Sequence, residues 1–172
     1  MNSKKNNIKK FFYAEVFNQG CSSTFCSYMK NLKSNEQVFY KLALSLSEKI
    51  EPFKKNFDIF VSVPKYKKTD SEGDYSEKLA CILSSKLNIP FDKNLISKIK
   101  DTRKLRTIPE NERLSEIDSA FRINKPLYKR ICIVDDVYSS GATMAEIVKT
   151  FNKSGITEIY AAVLVVRSEN EL

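Results

Sequence analysis

The chain has 172 residues, 42% of them hydrophobic, with 29 Lys and Arg against 21 Asp and Glu, a formal charge of +8 and no histidine. That length supports one domain with its own core, and no apolar run reaches the ~18–20 residues of a membrane helix. The missing histidine excludes serine and cysteine hydrolase sites that use it as a base, and the net positive charge favours anionic partners such as phosphorylated small molecules, nucleic acid or acidic lipid.

In chain order, residues 1–10 are charged and polar and lack the apolar centre of a signal peptide, so a cytoplasmic location is expected. Residues 11–17 mix aromatic and apolar side chains and read as a strand or half of a hairpin. Ser22 or Ser23 caps a short helix running to about Lys33. A stronger helix begins at Ser34-Asn35: Phe39, Ala43, Leu46 and Ile50 follow helical spacing, and Pro52 marks the end. Residues 58–63 read as a buried strand stopped by Pro64, and the cationic stretch 65–74 as a loop. Leu79, Leu83 and Leu87 mark a helix over about 75–88, and residues 94–99 read as a further strand.

Residues 100–113 carry many cations and little apolar content and read as a mobile loop. A short strand at 120–123 precedes a strand at 130–134, a hydroxyl-rich loop and a helix to about Lys153, with Gly155 suited to its C-cap. The nearly continuous apolar run 157–166 fits a strand covered on both faces. Strand, helix, strand from 130 to 166 is a βαβ unit, so a mainly parallel sheet flanked by helices is expected. Cys21, Cys26, Cys81 and Cys132 do not form two close pairs, and free thiols in a reducing compartment are expected.

The chemistry concentrates in Ile131-Cys132-Ile133-Val134-Asp135-Asp136-Val137-Tyr138-Ser139-Ser140-Gly141-Ala142-Thr143. A buried strand that releases charge at its carboxyl end, above a helix N-terminus, is where open α/β sheets bind anions. Gly141 permits a tight turn, and successive amides over 139–143 form a donor nest joined by the hydroxyls of Ser139, Ser140 and Thr143. Asp135 and Asp136 would repel a phosphate, but they suit vicinal sugar hydroxyls and a Mg²⁺ ion held directly or through water. A ribose bearing a 5′-phosphate satisfies both halves.

This stretch resembles the phosphoribosyl pyrophosphate (PRPP) signature of type I phosphoribosyltransferases. The resemblance implies a Rossmann-like α/β core with a mainly parallel twisted sheet, flanking helices and a small hood. It implies that Asp135 and Asp136 bind the ribose hydroxyls and Mg²⁺, and that Val137, Tyr138, Ser139, Ser140, Gly141, Ala142 and Thr143 wrap the 5′-phosphate. Val63-Pro64-Lys65-Tyr66-Lys67-Lys68 resembles the family's pyrophosphate loop, which places Pro64, Lys65, Lys67 and Lys68 at the diphosphate. The stretch Tyr28-Met29-Lys30-Asn31-Leu32-Lys33, the loop with Gly73, and Asp101-Thr102 through Glu112-Arg113 to Ala120-Phe121 are similar to the competence-associated, ComF-like branch. Departures stand where that branch carries Arg-Gly-Phe-Asn-Gln, here Glu72, Gly73, Asp74, Tyr75 and Ser76. Leu105 lies where a Gln is expected, Glu116 where an Asn is, and the branch's four-cysteine zinc module has no counterpart.

The resemblance implies displacement of pyrophosphate at ribose C1 by an unknown acceptor. Asp135, Asp136, Lys67 and Arg103 would carry catalysis, with Lys104 and Arg106 as further cations of the 100–113 loop. The expected organisation is a single domain over 1–172, with residues 1–56 as hood and helical part and 57–167 as α/β core. Tyr13, Phe17 and Tyr28 have rings able to stack on a base, although core packing is the more ordinary role. Two other readings stand beside the enzyme: a PRPP- or nucleotide-sensing regulator without transfer activity, and a DNA-uptake accessory protein. No helix-turn-helix, zinc finger or RNA-binding sheet motif supports the nucleic-acid reading. Oligomeric state is open, with a homodimer among the alternatives.

Overall fold

The computed structural model describes residues 8–18, 22–65, 74–103, 105–124 and 128–167, with the side chains of Ser22 and Arg106 left aside. Among the described residues the main sheet has four strands, all parallel. These are β1 (Ile8–Val16), β2 (Ile59–Ser62), β5 (Arg130–Tyr138) and β6 (Glu158–Val166), in the order β1-β6-β5-β2. A parallel bridge between Phe60 and Phe91 extends the sheet beyond β2. Its hydrogen bonds run from Phe60 N–H to Pro90 O at 2.8 Å and from Asp92 N–H to Phe60 O at 3.1 Å. A separate antiparallel pair joins β3 (Ile96–Lys98) to β4 (Phe121–Ile123). The mainly parallel sheet expected from the βαβ pattern is therefore present, and β6 lies at its centre with every residue after Glu158 buried.

Helices α1 (Ser22–Ser34), α2 (Glu36–Ile50) and α3 (Tyr75–Leu87) cover one face. The other face carries α4 (Glu110–Ile117), α5 (Ala142–Lys153) and the β3–β4 pair. Local chemistry explains the boundaries. The Asn35 side chain accepts the Val38 N–H at 3.2 Å and caps α2. The helix then buries Phe39, Ala43, Leu46 and Ile50 at alternating steps of four and three. The side chains of Phe39, Leu46 and Ile50 are essentially inaccessible, each burial being worth roughly 1.5–3 kcal/mol. Asp74 accepts the Glu77 N–H at 3.0 Å to start α3, and Asn88 ends it in the left-handed region at φ 54°. Past α5, Gly155 at φ 81° allows the Gly155 N–H to reach Asn152 O (3.0 Å) and the Ile156 N–H to reach Phe151 O (3.1 Å).

Two expectations hold with added detail, and two need correction. Of the two readings for residues 11–17, the strand holds and the hairpin does not: residues 11–16 lie within β1, a parallel edge strand that starts at Ile8. Pro52 marks the end of α2 as expected, since the helix stops at Ile50 and the chain continues as a 3₁₀ segment, Glu51–Asn56, where the proline's absent N–H costs no bond. The stretch 100–113 is not a single loop: it includes a 3₁₀ turn, Leu105–Thr107, and the start of α4. Only Ile117 of α4 is buried, so apolar spacing gave no signal there. The 56/57 boundary does not divide a hood from the core, since β1 belongs to the main sheet and α2 covers it. Among the described residues, no helix is long and apolar enough to cross a membrane.

Candidate functional site

Chain direction creates the crevice. β2 and β5 are neighbours, paired from Ile59↔Ile131 to Ser62↔Val134. After β2 the chain turns to α3 on one face; after β5 it turns to α5 on the other. Neighbouring strands whose connections part to opposite faces leave a cleft at their carboxyl ends, the usual binding place in open α/β sheets. Val63 closes the pairing with its N–H on Val134 O at 3.0 Å. Half-buried Pro64 and exposed Lys65 therefore follow β2 alongside the position where Asp135 and Asp136 follow Val134.

Both carboxylates lie inside β5, not beyond it, because the strand continues to Tyr138. Cys132 and Val134 pack on the α1–α3 side, and Ile131 and Ile133 on the α5 side. Strict alternation would send Val137 to the α5 side, yet it packs on the α1–α3 side and Tyr138 on the other. The face therefore slips by one residue between Val134 and Val137. β6 slips in the same row, where consecutive Leu164 and Val165 share the α1–α3 side. Such an irregularity re-aims side chains near a binding site. Here it lets both carboxylates turn toward α1 and α3.

Asp135 accepts the Ser76 hydroxyl at 2.8 Å and the Asp136 N–H at 2.9 Å. Its residue keeps some accessible surface, but the carboxyl is enclosed by protein. Burial, and next the charge of Asp136, push this carboxyl well above the ordinary aspartate range, against the lowering effect of the Ser76 hydrogen bond. Asp136 forms an ion pair with Lys33, the penultimate residue of α1.

The turn that follows has a shape and open donors that suit an anion. Gly141 is the N-cap of α5 at φ 69°, a backbone shape that favours glycine. Among the described residues, no protein group accepts from the amides of residues 139–143. A helix N-terminus with open amides attracts negative charge. The side chains of Ser139, Ser140 and Thr143 are half-buried around it. The Tyr138 ring folds over Gly141, so a Cβ there would lie 2.4 Å from the phenol oxygen. That ring also packs edge-on against Phe11, with centroids 4.8 Å apart.

The structure thus brings together Pro64, Lys65, Asp135, Asp136 and the turn from Val137 to Thr143. Lys67, Lys68, Glu72, Gly73, Cys21 and Lys104 lie outside the described residues. Arg103 is engaged elsewhere. Its backbone N–H reaches Glu116 Oε1 at 2.8 Å, its Nε and Nη2 reach Oε2 at 3.0 and 2.9 Å, and Glu112 lies 3.5 Å away. Those hydrogen bonds hold Glu116 below the usual glutamate range. The Glu that stands in place of an expected Asn is thus the clamp on Arg103. Phe17 and Tyr28 pack together at 4.8 Å, and the Tyr28 hydroxyl donates to Glu15 at 2.7 Å. Lys33 and Ser76 were not expected site residues: Lys33 lies in a stretch that carried the resemblance, and Ser76 in the stretch 72–76 that departs from it. A depression of about 520 Å³ bounded by Ser84, Ser85, Asn88, Ile89 and Pro90 lies at the far end of α3, roughly 15 Å along the helix from Ser76.

Among the described residues, no three His, Cys, Asp or Glu side chains converge. Two carboxylates are nevertheless the usual protein share for Mg²⁺, which keeps waters and takes its other oxygens from a phosphorylated substrate. Asp135 and Asp136 fit that share.

No family model matches the chain. Over 81 residues it is 35% identical to Competence protein F of Haemophilus influenzae, a stretch covering 45% of this chain and 35% of that protein. The chain thus spans about a third of the length of the curated relative it matches. A purine phosphoribosyltransferase from Pyrococcus horikoshii superimposes with a TM-score of 0.49 at 22% identity, over 77% of this chain and 75% of that one. The xanthine-guanine-hypoxanthine phosphoribosyltransferase of Helicobacter pylori gives 0.44 at 16% identity, over 80% and 91%.

Proposed function

We propose that this chain binds PRPP with Mg²⁺ and transfers its phosphoribosyl group to an acceptor, releasing pyrophosphate. The observation that carries the reading is the pairing of Asp135 and Asp136 with the open-amide turn 139–143 at the cleft between β2 and β5. One half suits a sugar diol and the other a phosphate. The partial identity to Competence protein F accords with the branch that the residues resemble. In this reading the chain works as one domain in the cytoplasm.

The reaction breaks the bond from ribose C1 to the diphosphate and forms one from C1 to the acceptor. Positive charge grows on the sugar while negative charge leaves with pyrophosphate, so alignment and electrostatic stabilisation do most of the work. The amides and hydroxyls of 139–143 anchor the 5′-phosphate, and the aspartates orient the ribose hydroxyls. Lys65, which follows β2 beside this cleft, stabilises the departing diphosphate, a role the resemblance also gives to Lys67 and Lys68. Asp135 and Asp136 would hold Mg²⁺, which supplies charge neutralisation for the leaving group.

A second reading, PRPP sensing without transfer, is favoured by the Glu116 clamp on Arg103, which occupies a cation assigned to the reaction. Isothermal titration with PRPP and Mg²⁺ tests the shared binding step. Pyrophosphate release with a panel of nucleobases and amines separates enzyme from sensor. No PRPP binding at millimolar ligand refutes both.

A further inference from the structure

The mechanism leaves the contact between Lys33 and Asp136 unused. The pair is largely shielded, with side chains 26% and 13% exposed. The Lys33 ammonium also lies 4.9 Å from the centre of the Tyr75 ring, and the Tyr75 hydroxyl donates to Lys33 O at 3.1 Å. Tyr75 immediately precedes Ser76, the partner of Asp135. Two helices therefore hold the two carboxylates, α3 through Ser76 and α1 through Lys33, and Tyr75 ties those helices together.

Charge makes this arrangement consequential. A carboxylate in contact with an ammonium is a poor ligand for a divalent cation, because the two cations compete for the same oxygens. Shielded ion pairs are also costly to leave half-broken, so a displaced Lys33 needs another anion. The geometry supplies a place for one. The 5′-phosphate turn leads to the α5 face, whereas the carboxylates lean toward α1 and α3. A ribose anchored by its 5′ end at the turn thus presents its C1 substituent on the Lys33 side. A lysine stem is long and flexible enough to follow.

We infer that Lys33 has two stations: Asp136 in the free protein, and the diphosphate of PRPP once a divalent cation and the ribose hydroxyls have taken Asp136. The inference rests on the phosphoribosyl reading above. Lys33 therefore keeps the empty site from collecting divalent cations and favours ligands that bring a diphosphate.

Titrations of the wild type, Lys33→Gln and Lys33→Arg test this, using Mn²⁺ alone, PRPP with Mg²⁺, and ribose 5-phosphate with Mg²⁺. Lys33→Gln should bind Mn²⁺ alone more tightly and lose preference for PRPP over ribose 5-phosphate, each by about tenfold, the scale of one charge-assisted contact. Lys33→Arg should restore the preference. Wild-type binding of PRPP with both quantities unchanged in Lys33→Gln overturns the inference and leaves the phosphoribosyl reading intact. Failure of the wild type to bind PRPP overturns that reading and the diphosphate station with it. Should Lys33→Gln not fold, acylation of Lys33 in the wild type, read by peptide mass spectrometry, decides. The expected order is slow in the free protein, faster with ribose 5-phosphate and Mg²⁺, and slow again with PRPP. Equal rates in all three overturn the proposal.

Discussion

Replacing Gly141 with alanine tests the turn at its tightest point. The backbone there has φ 69°, which costs a residue with a Cβ about 1–2 kcal/mol. The added Cβ would also sit 2.4 Å from the Tyr138 hydroxyl oxygen and 2.8 Å from Cζ, so the ring must move. Moving it disrupts the edge-on contact with Phe11, an interaction worth about 0.5–1.5 kcal/mol. The two terms together predict a loss of about 1.5–3.5 kcal/mol for Gly141→Ala. Urea unfolding monitored by far-UV circular dichroism, with an unchanged m-value, reads this directly. In a Tyr138→Ala background only the backbone term survives, so the same substitution should cost about 1 kcal/mol less. A loss below about 0.5 kcal/mol would refute the left-handed assignment, and equal losses in both backgrounds would refute the ring's position over the glycine.

Asp135 gives a pH signature. The folded protein holds its carboxyl proton more tightly than the unfolded chain does, so the stabilisation is full below about pH 4 and falls as pH rises through the folded value. Asp135→Asn should therefore gain stability relative to the wild type as pH rises above about 4, and parallel urea profiles would contradict the burial argument. Asn35→Ala removes the acceptor for the Val38 N–H and should cost about 1 kcal/mol by thermal or urea unfolding, while Asn35→Asp should cost much less. The Lys33 substitutions add the change in metal and diphosphate preference given above.

Much of the scaffold was legible because its signals are local. The apolar run that becomes β6, the Phe39–Ile50 spacing of α2, and Gly155 after α5 each act within a few residues. What escaped was set by distant partners. β5 reads as ending at Val134 because two aspartates follow, yet pairing with β6 carries it to Tyr138. α4 has almost no apolar stripe, and Arg103 holds its Glu112 and Glu116 from outside the helix. Of the candidate site, the aspartates and the turn were readable from residue order. Lys33 and Ser76 were not, since each reaches its carboxylate across more than 50 residues of chain.

The most direct measurement of the central claim is calorimetric titration of PRPP with Mg²⁺ into the wild type and into the Asp135→Asn/Asp136→Asn double variant. The account predicts saturable binding by the wild type and loss of Mg²⁺-dependent binding in a variant whose circular dichroism is native. Undiminished PRPP affinity in the folded double variant would contradict it.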